Sequence, residues 1–219
     1  MNTKITKTEK ITFSAMMIAI AVCLAALCAA VPFLNLPFGG GFTIASMLPI
    51  IVVAYRYGTR WGLLTGFIYS FMQMILGFNT VSAFFLPGDS QMIWWQAIIV
   101  LLLDYVVAYS VLGFGGIFRN RLETKKALVW GSAVALFLRY VAHILSGAIF
   151  FGSWAEWFFT QEGFPAFGAA IIENISGFGL SLVYSVIYNG TYMIPEIIIT
   201  AVAAIAISRL SAVKKAEEI

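Results

Sequence analysis

Metal ligands and catalytic signatures are close to missing from this sequence. It has one histidine, His143, and two cysteines, Cys23 and Cys28, in 219 residues. No group of His, Cys, Asp and Glu stands at ligand spacing, so neither a metal site nor a cofactor is expected. The two cysteines share one apolar run and read as small packing residues, not as a disulfide or metal pair. There is no G-x-x-x-x-G-K-[ST], which excludes ATP binding by a P-loop. Neither G-x-S-x-G nor H-E-x-x-H occurs, and no nucleophile stands beside an orienting base, so the chain is not read as an enzyme. No internal repeat is visible, which removes support for the inverted-repeat architecture of many secondary transporters.

Charge is also scarce. Charged residues make up 11% of the chain and hydrophobic ones 61%, where a soluble domain carries about 25% charged residues. The expected fold is therefore an all-α integral membrane protein, a single bundle over 1–219 with no soluble domain. The net charge of +3 raises nucleic acid as a partner, but the distribution argues against it. Basic residues cluster at Lys4/Lys7/Lys10, Arg56/Arg60, Arg119/Arg121/Lys125/Lys126 and Arg209/Lys214/Lys215, and the remaining one is Arg139 in mid-span. The intervening loops carry Asp89, Glu156, Glu162 and Glu173 and no base. That is the positive-inside pattern. It predicts a multi-pass protein of the plasma membrane, embedded in lipid, with six spans and both termini cytoplasmic.

The expected spans are 11–34, 42–55, 61–78, 93–118, 127–151 and 180–208. The first is too long for a signal-peptide core and reads as a retained helix. Its alanines recur every four residues at Ala15/Ala19, Ala21/Ala25/Ala29 and Ala26/Ala30. Small residues at that spacing let another helix approach closely, either within the bundle or from a second protein. Asn35 to Gly41 ends in three glycines and is a candidate gate or a plain turn. The second span contains Pro49 and is expected to be kinked or tilted. The long outer stretch 152–178 is expected to hold a short interfacial or re-entrant helix, since a structureless loop of that length is unusual.

The polar residues inside the spans are the candidate site. Arg139, His143, Gly147 and Phe151 fall four apart and form one helical stripe. Charge within a membrane helix marks a functional site by default. Asp104 lies near mid-membrane on the fourth span, with Tyr105 beside it. Tyr184 and Asn189 lie in the outer half of the sixth span, Tyr69 lies on the third, and Glu196 falls deeper, toward the cytoplasm. A mostly aromatic pocket with a few orienting polar groups is the implied arrangement. A carboxylate there suits a cationic ligand, aromatic rings suit a flat heterocycle, and Asn189 can donate and accept toward an aminopyrimidine edge. Two other readings stay open. One is an internal Asp104–Arg139 ion pair with His143 hydrogen-bonded nearby. The other is a proton relay through Asp104 and His143 in a self-sufficient proton-coupled carrier.

Four stretches carry a resemblance. They are Leu138-Arg139-Tyr140-Val141-Ala142-His143-Ile144-Leu145-Ser146-Gly147-Ala148-Ile149-Phe150-Phe151-Gly152-Ser153, Ser46-Met47-Leu48-Pro49-Ile50, Leu103-Asp104-Tyr105-Val106-Val107-Ala108-Tyr109, and Tyr184-Ser185-Val186-Ile187-Tyr188-Asn189-Gly190-Thr191-Tyr192-Met193-Ile194-Pro195. In their order along the chain they resemble the thiamine-binding S components of energy-coupling factor (ECF) transporters, the ThiT/YuaJ type. The resemblance implies a six-helix subunit that captures thiamine, or a close relative, from outside. It then docks on a transmembrane coupling protein with two ATPase subunits. It implies ligand contacts at Asp104, Tyr105, His143, Gly147, Tyr184 and Asn189, with Arg139 on a basic position. Tyr69 and Phe151 stand where some members have tryptophan. It also implies docking through the alanine stripe at Ala15 and Ala19. The chain departs from the family in longer segments at 79–92 and 152–178, and in a first outer loop that has Phe38 and Phe42 but no tryptophan.

Overall fold

The computed structural model describes residues 6–35, 41–161 and 165–213. They form nine α-helical stretches: α1 Lys7–Ala29, α2 Leu48–Tyr57, α3 Thr59–Leu76, α4 Phe78–Ala83, α5 Trp94–Gly116, α6 Thr124–Phe150, α7 Ala155–Phe159, α8 Pro165–Asn174 and α9 Gly177–Ile207. Among the described residues there is no strand, only an isolated bridge between Asn35 and Gly41. Four helices, α1, α5, α6 and α9, are long and apolar enough to cross a membrane. α1 begins where Thr6 Oγ1 accepts the Glu9 amide at 3.1 Å, the N-terminal half of a capping box.

α2 differs from the expected second span. It starts at Leu48, six residues late, and has ten residues. At ~1.5 Å per residue that covers about half of a bilayer core. Pro49 does not kink it. Proline sits in the first helical turn, where its missing N–H costs nothing. The preceding residues are non-helical, with Ala45 at φ 56°. Every α2 residue except Arg56 is buried, because α1, α3, α5 and α6 all pack around it. It is the central post of the bundle.

Those neighbours come close because glycines leave room. A Cβ on Gly62 of α3 would meet Ala54 Cα at 2.8 Å and Gly113 Cα at 2.9 Å. A Cβ on Gly113 of α5 would stand 2.6 Å from Leu63 Cα. Backbones in direct contact are how membrane helices gain packing without a hydrophobic driving force between them. On the other side α9 lies along α6. The stretch after α6 holds two short helices, α7 and α8. Phe158 and Phe159 of α7 are buried, so α7 packs on the bundle and belongs to its core.

The Gly62–Gly113 crossing generates a prediction. Gly113→Leu forces a side chain into a backbone contact, at a cost of ~1–3 kcal/mol or more. The expected result is a drop of several degrees in the thermal unfolding midpoint of the detergent-solubilised protein. An unchanged midpoint would show that this crossing is loose.

Candidate functional site

The site is built on an irregularity in α5. Leu102–Val107 winds as a π-helix, a wider turn that recurs at functional positions. It brings Asp104, Tyr105 and Tyr109 together on one cavity of about 180 Å³. α6 and its C-cap supply Arg139, His143, Gly147 and Phe151. The stripe read from the sequence therefore faces the cavity along its whole length. α9 supplies Tyr184, Tyr188, Asn189 and Tyr192, and Gly41, Thr80 and Phe84 complete the wall.

Asp104 is the polar centre. Its Oδ1 accepts from His143 Nδ1 at 2.7 Å, and its Oδ2 accepts from Ser146 Oγ at 2.6 Å. A carboxylate has about four acceptor positions. Two stay open, and 21% of the side chain remains exposed. With the Nδ1 proton pointing at Asp104, the other nitrogen of a neutral imidazole is an acceptor. That Nε2 is buried with no partner among the described residues. The cavity thus holds unused hydrogen-bonding capacity on two adjacent groups.

Arg139 does not pair with Asp104, so the internal ion pair among the open readings is not formed. Its Nη1 donates to Met47 Sδ and its Nη2 to the Tyr109 hydroxyl, at 2.8 and 3.2 Å. The guanidinium carbon sits 4.6 Å from the Tyr109 ring centre. No described carboxylate lies within ion-pair distance, and Nε is buried and unpartnered. The Tyr109 hydroxyl passes the chain on to Gln73 Oε1 at 3.3 Å, and the Gln73 amide donates to Tyr69.

Tyr69 is therefore one layer behind the cavity. It is fully buried and packs edge-on against Tyr109, with 5.3 Å between ring centres. Among the expected ligand residues it alone stands outside the lining. Asn189 lines the cavity, but its amide is engaged at both ends. Nδ2 donates to Ser185 O at 2.8 Å, and Oδ1 accepts from the Tyr192 hydroxyl. A free amide edge for an aminopyrimidine is not what it offers; it fixes Tyr192 and α9. Gly147 lines the cavity, but the direction a side chain would take there is filled by α9: an added Cβ would collide with Ser185 Oγ and stand 3.2 Å from Asn189 Nδ2.

The sequence reading missed Tyr109, Tyr188, Tyr192, Thr80, Phe84 and Ser146. A signal existed for the tyrosines, since Tyr105/Tyr109 and Tyr184/Tyr188/Tyr192 repeat every four residues. Tyr184 and Tyr188 stack with 5.7 Å between centres, and Phe158 of α7 lies edge-on to both. A second cavity of about 510 Å³ adjoins the first, and Thr80, Phe84, Phe151 and Tyr184 line both. Of the candidate gate, Gly39 and Gly40 lie outside the described residues. Gly41 is within them, bridged to Asn35.

Comparison with known proteins gives the family of the chain. The family described as Thiamine transporter protein (Thia_YuaJ) matches residues 11–215. The thiamine transporter ThiT of Bacillus subtilis (strain 168) is 33% identical over 180 residues, covering 78% of this chain and 76% of that protein. The solved structure of ThiT from Listeria monocytogenes superposes with a TM-score of 0.56 over 90% of this chain and 95% of that one. At 18% identity that likeness concerns the fold, and it agrees with the all-helical membrane architecture. The chain belongs to the Thia_YuaJ thiamine transporter family and is a multi-pass protein of the plasma membrane.

Proposed function

We propose that this chain is the substrate-binding subunit, or S component, of an ECF-type importer and captures thiamine from outside the cell. The observation that carries this reading is the open acceptor capacity of Asp104 inside an aromatic cavity. Thiamine has a permanently charged thiazolium ring and an amino group on its pyrimidine. A partly desolvated carboxylate counters the charge, and tyrosine and phenylalanine walls suit flat, cationic rings. Arg139, His143, Gly147, Phe151, Tyr184 and Asn189 line the same cavity as that carboxylate. The relative in Bacillus subtilis is a thiamine transporter by name, which supports the same ligand.

Transport is proposed to use partners. The chain is read as one membrane domain of six spans with cytoplasmic termini, in keeping with its basic clusters. The alanines of the first helix differ in exposure. Ala21 and Ala25 are buried in the bundle, while Ala15 and Ala19 are exposed, as are Ala26, Ala29 and Ala30 nearer its C-terminal end. The exposed Ala15 and Ala19 support docking of a transmembrane coupling protein that carries two ATPases. The alternative, a self-sufficient proton-coupled carrier, draws on the His143–Asp104 bond. Reconstitution separates the two. The S-component reading expects no thiamine accumulation in liposomes holding this chain alone under a pH gradient, and proton-driven uptake there would favour the carrier.

Two predictions follow from the site and the docking face. Asp104→Asn keeps the shape and removes the counter-charge. Losing one partner of a desolvated charge pair costs ~2–5 kcal/mol, so thiamine affinity should fall roughly 30-fold or more. An isostere with a neutral ring in place of thiazolium should lose much less. Calorimetry showing equal losses for both ligands would make Asp104 structural. On α1, Ala19→Trp should abolish uptake with the full importer while leaving thiamine binding intact. Equal loss of binding and uptake would assign that face to packing within the bundle.

A further inference from the structure

The mechanism sketched above makes no use of Glu196, a carboxylate that is 1% exposed in an apolar helix. Burying it requires partners, and its partners lie far away in sequence. The Thr43 backbone N–H donates to Glu196 Oε2, and Thr43 Oγ1 lies 2.9 and 3.0 Å from its two oxygens. Ser46 Oγ is 2.6 Å from Thr43 Oγ1. Since Thr43 has one hydroxyl proton and Glu196 takes it, Ser46 is the donor in that pair. Thr200 Oγ1 adds a longer contact at 3.5 Å.

Residues 41–47 are the non-helical stretch before α2. Backbone that leaves the helix within a membrane must find its hydrogen bonds inside the protein. Here side chains supply them. Glu196 takes the Thr43 amide, and Cys28 Sγ takes the Ile44 amide at 3.3 Å. One end of this stretch reaches the cavity directly and the other through Arg139. Gly41 lines it, and Met47 Sδ holds Arg139, which also lines it. Glu196 itself does not line the cavity.

We propose that Glu196 is a positioning residue for ligand binding: it clamps the stretch Gly41–Met47 to α9, and so fixes Gly41 in the cavity wall and Met47 against Arg139. The proposal rests on the reading of this cavity as the thiamine site. The Pro195 ring contributes locally by removing one rung of the α9 ladder just before the clamp. The neutral amide of Glu196→Gln cannot hold the Thr43 amide and hydroxyl with a charge-assisted bond.

The test uses the purified full chain in detergent and two readouts. The first is amide hydrogen exchange over residues 41–47 without ligand. The second is the dissociation rate of thiamine in a chase. Glu196→Gln should speed exchange in that stretch and speed thiamine dissociation roughly tenfold or more, with little change in association. Thr43→Val, which keeps the shape but loses the hydroxyl, should act in the same direction. Thr43→Ser, which keeps the hydroxyl, should behave like the wild type. If Glu196→Gln does not fold, the Thr43 pair decides. Wild-type exchange in both Glu196→Gln and Thr43→Val overturns the proposal, as does faster exchange with unchanged dissociation. Wild-type protein that fails to bind thiamine overturns the functional reading instead, and exchange, read without ligand, then decides the clamp alone.

Discussion

His143 and Ser146 hold one carboxylate between them, and the cavity of the bundle is arranged about that three-way contact. Asp104 comes from α5 and its two partners from α6. In a membrane a lone ionised side chain is expensive, and the expense falls only if the group is hydrogen-bonded or faces water. Asp104 does both. Two bonds orient it, and its remaining acceptor positions face the cavity. The same pairing makes Nδ1 of His143 the donor, leaving Nε2 an acceptor with no partner among the described residues. Arg139, one turn away, is kept apart from this centre by the ring and hydroxyl of Tyr109 and the sulfur of Met47. Had Arg139 neutralised Asp104, the cavity would have no net attraction for a cation. The separation keeps the carboxylate available.

Polar function in this bundle sits where the helical ladder is interrupted. The π turn of α5 carries Asp104 and Tyr105. The non-helical stretch before α2 carries Gly41 and Met47. Pro195 interrupts α9 beside Glu196. Each interruption frees backbone groups or redirects side chains, and in an apolar layer each survives only with internal partners. The short, nearly fully buried α2 fits this picture. It is half a span because the other half is backbone held by side chains of α1 and α9.

Much of the architecture was legible because membrane constraints act on long stretches. Apolar length marked α1, α5, α6 and α9, and the four-residue spacing of Arg139, His143, Gly147 and Phe151 marked a face that does line the cavity. What escaped was local and depended on contacts between helices. Nothing in Leu103-Asp104-Tyr105 announces a π turn, so Tyr109 was not placed with Asp104. Pro49 reads equally as a kink or as a first-turn residue, and only the position of the helix start decides. Tyr69 and Asn189 are polar residues in spans, which is all a sequence reveals. Which of them faces a cavity depends on Gln73, Ser185 and Tyr192, each on a neighbouring turn or helix. Gly147 has the same ambiguity, and the occupant of its space is α9.

The long outer segment gains a physical role from the aromatic contacts of α7. Phe158 is buried against Tyr184 and Tyr188, and those two tyrosines stack on one another along α9. A tyrosine wall made of single side chains on one helix would be free to change rotamer whenever the cavity emptied. Packing Phe158, which does not line the cavity, edge-on against both rings restricts that freedom. It does so with apolar surface, so no polar group is left to satisfy. Tyr192 is held differently, by the Asn189 amide and by its edge-on contact with His143 at 5.9 Å. The α9 wall is thus held at Tyr184 and Tyr188 through aromatic packing and at Tyr192 through hydrogen bonding. Walls held in place before binding lower the ordering cost of taking up a small ligand, and α7 contributes to that order by packing behind the cavity wall.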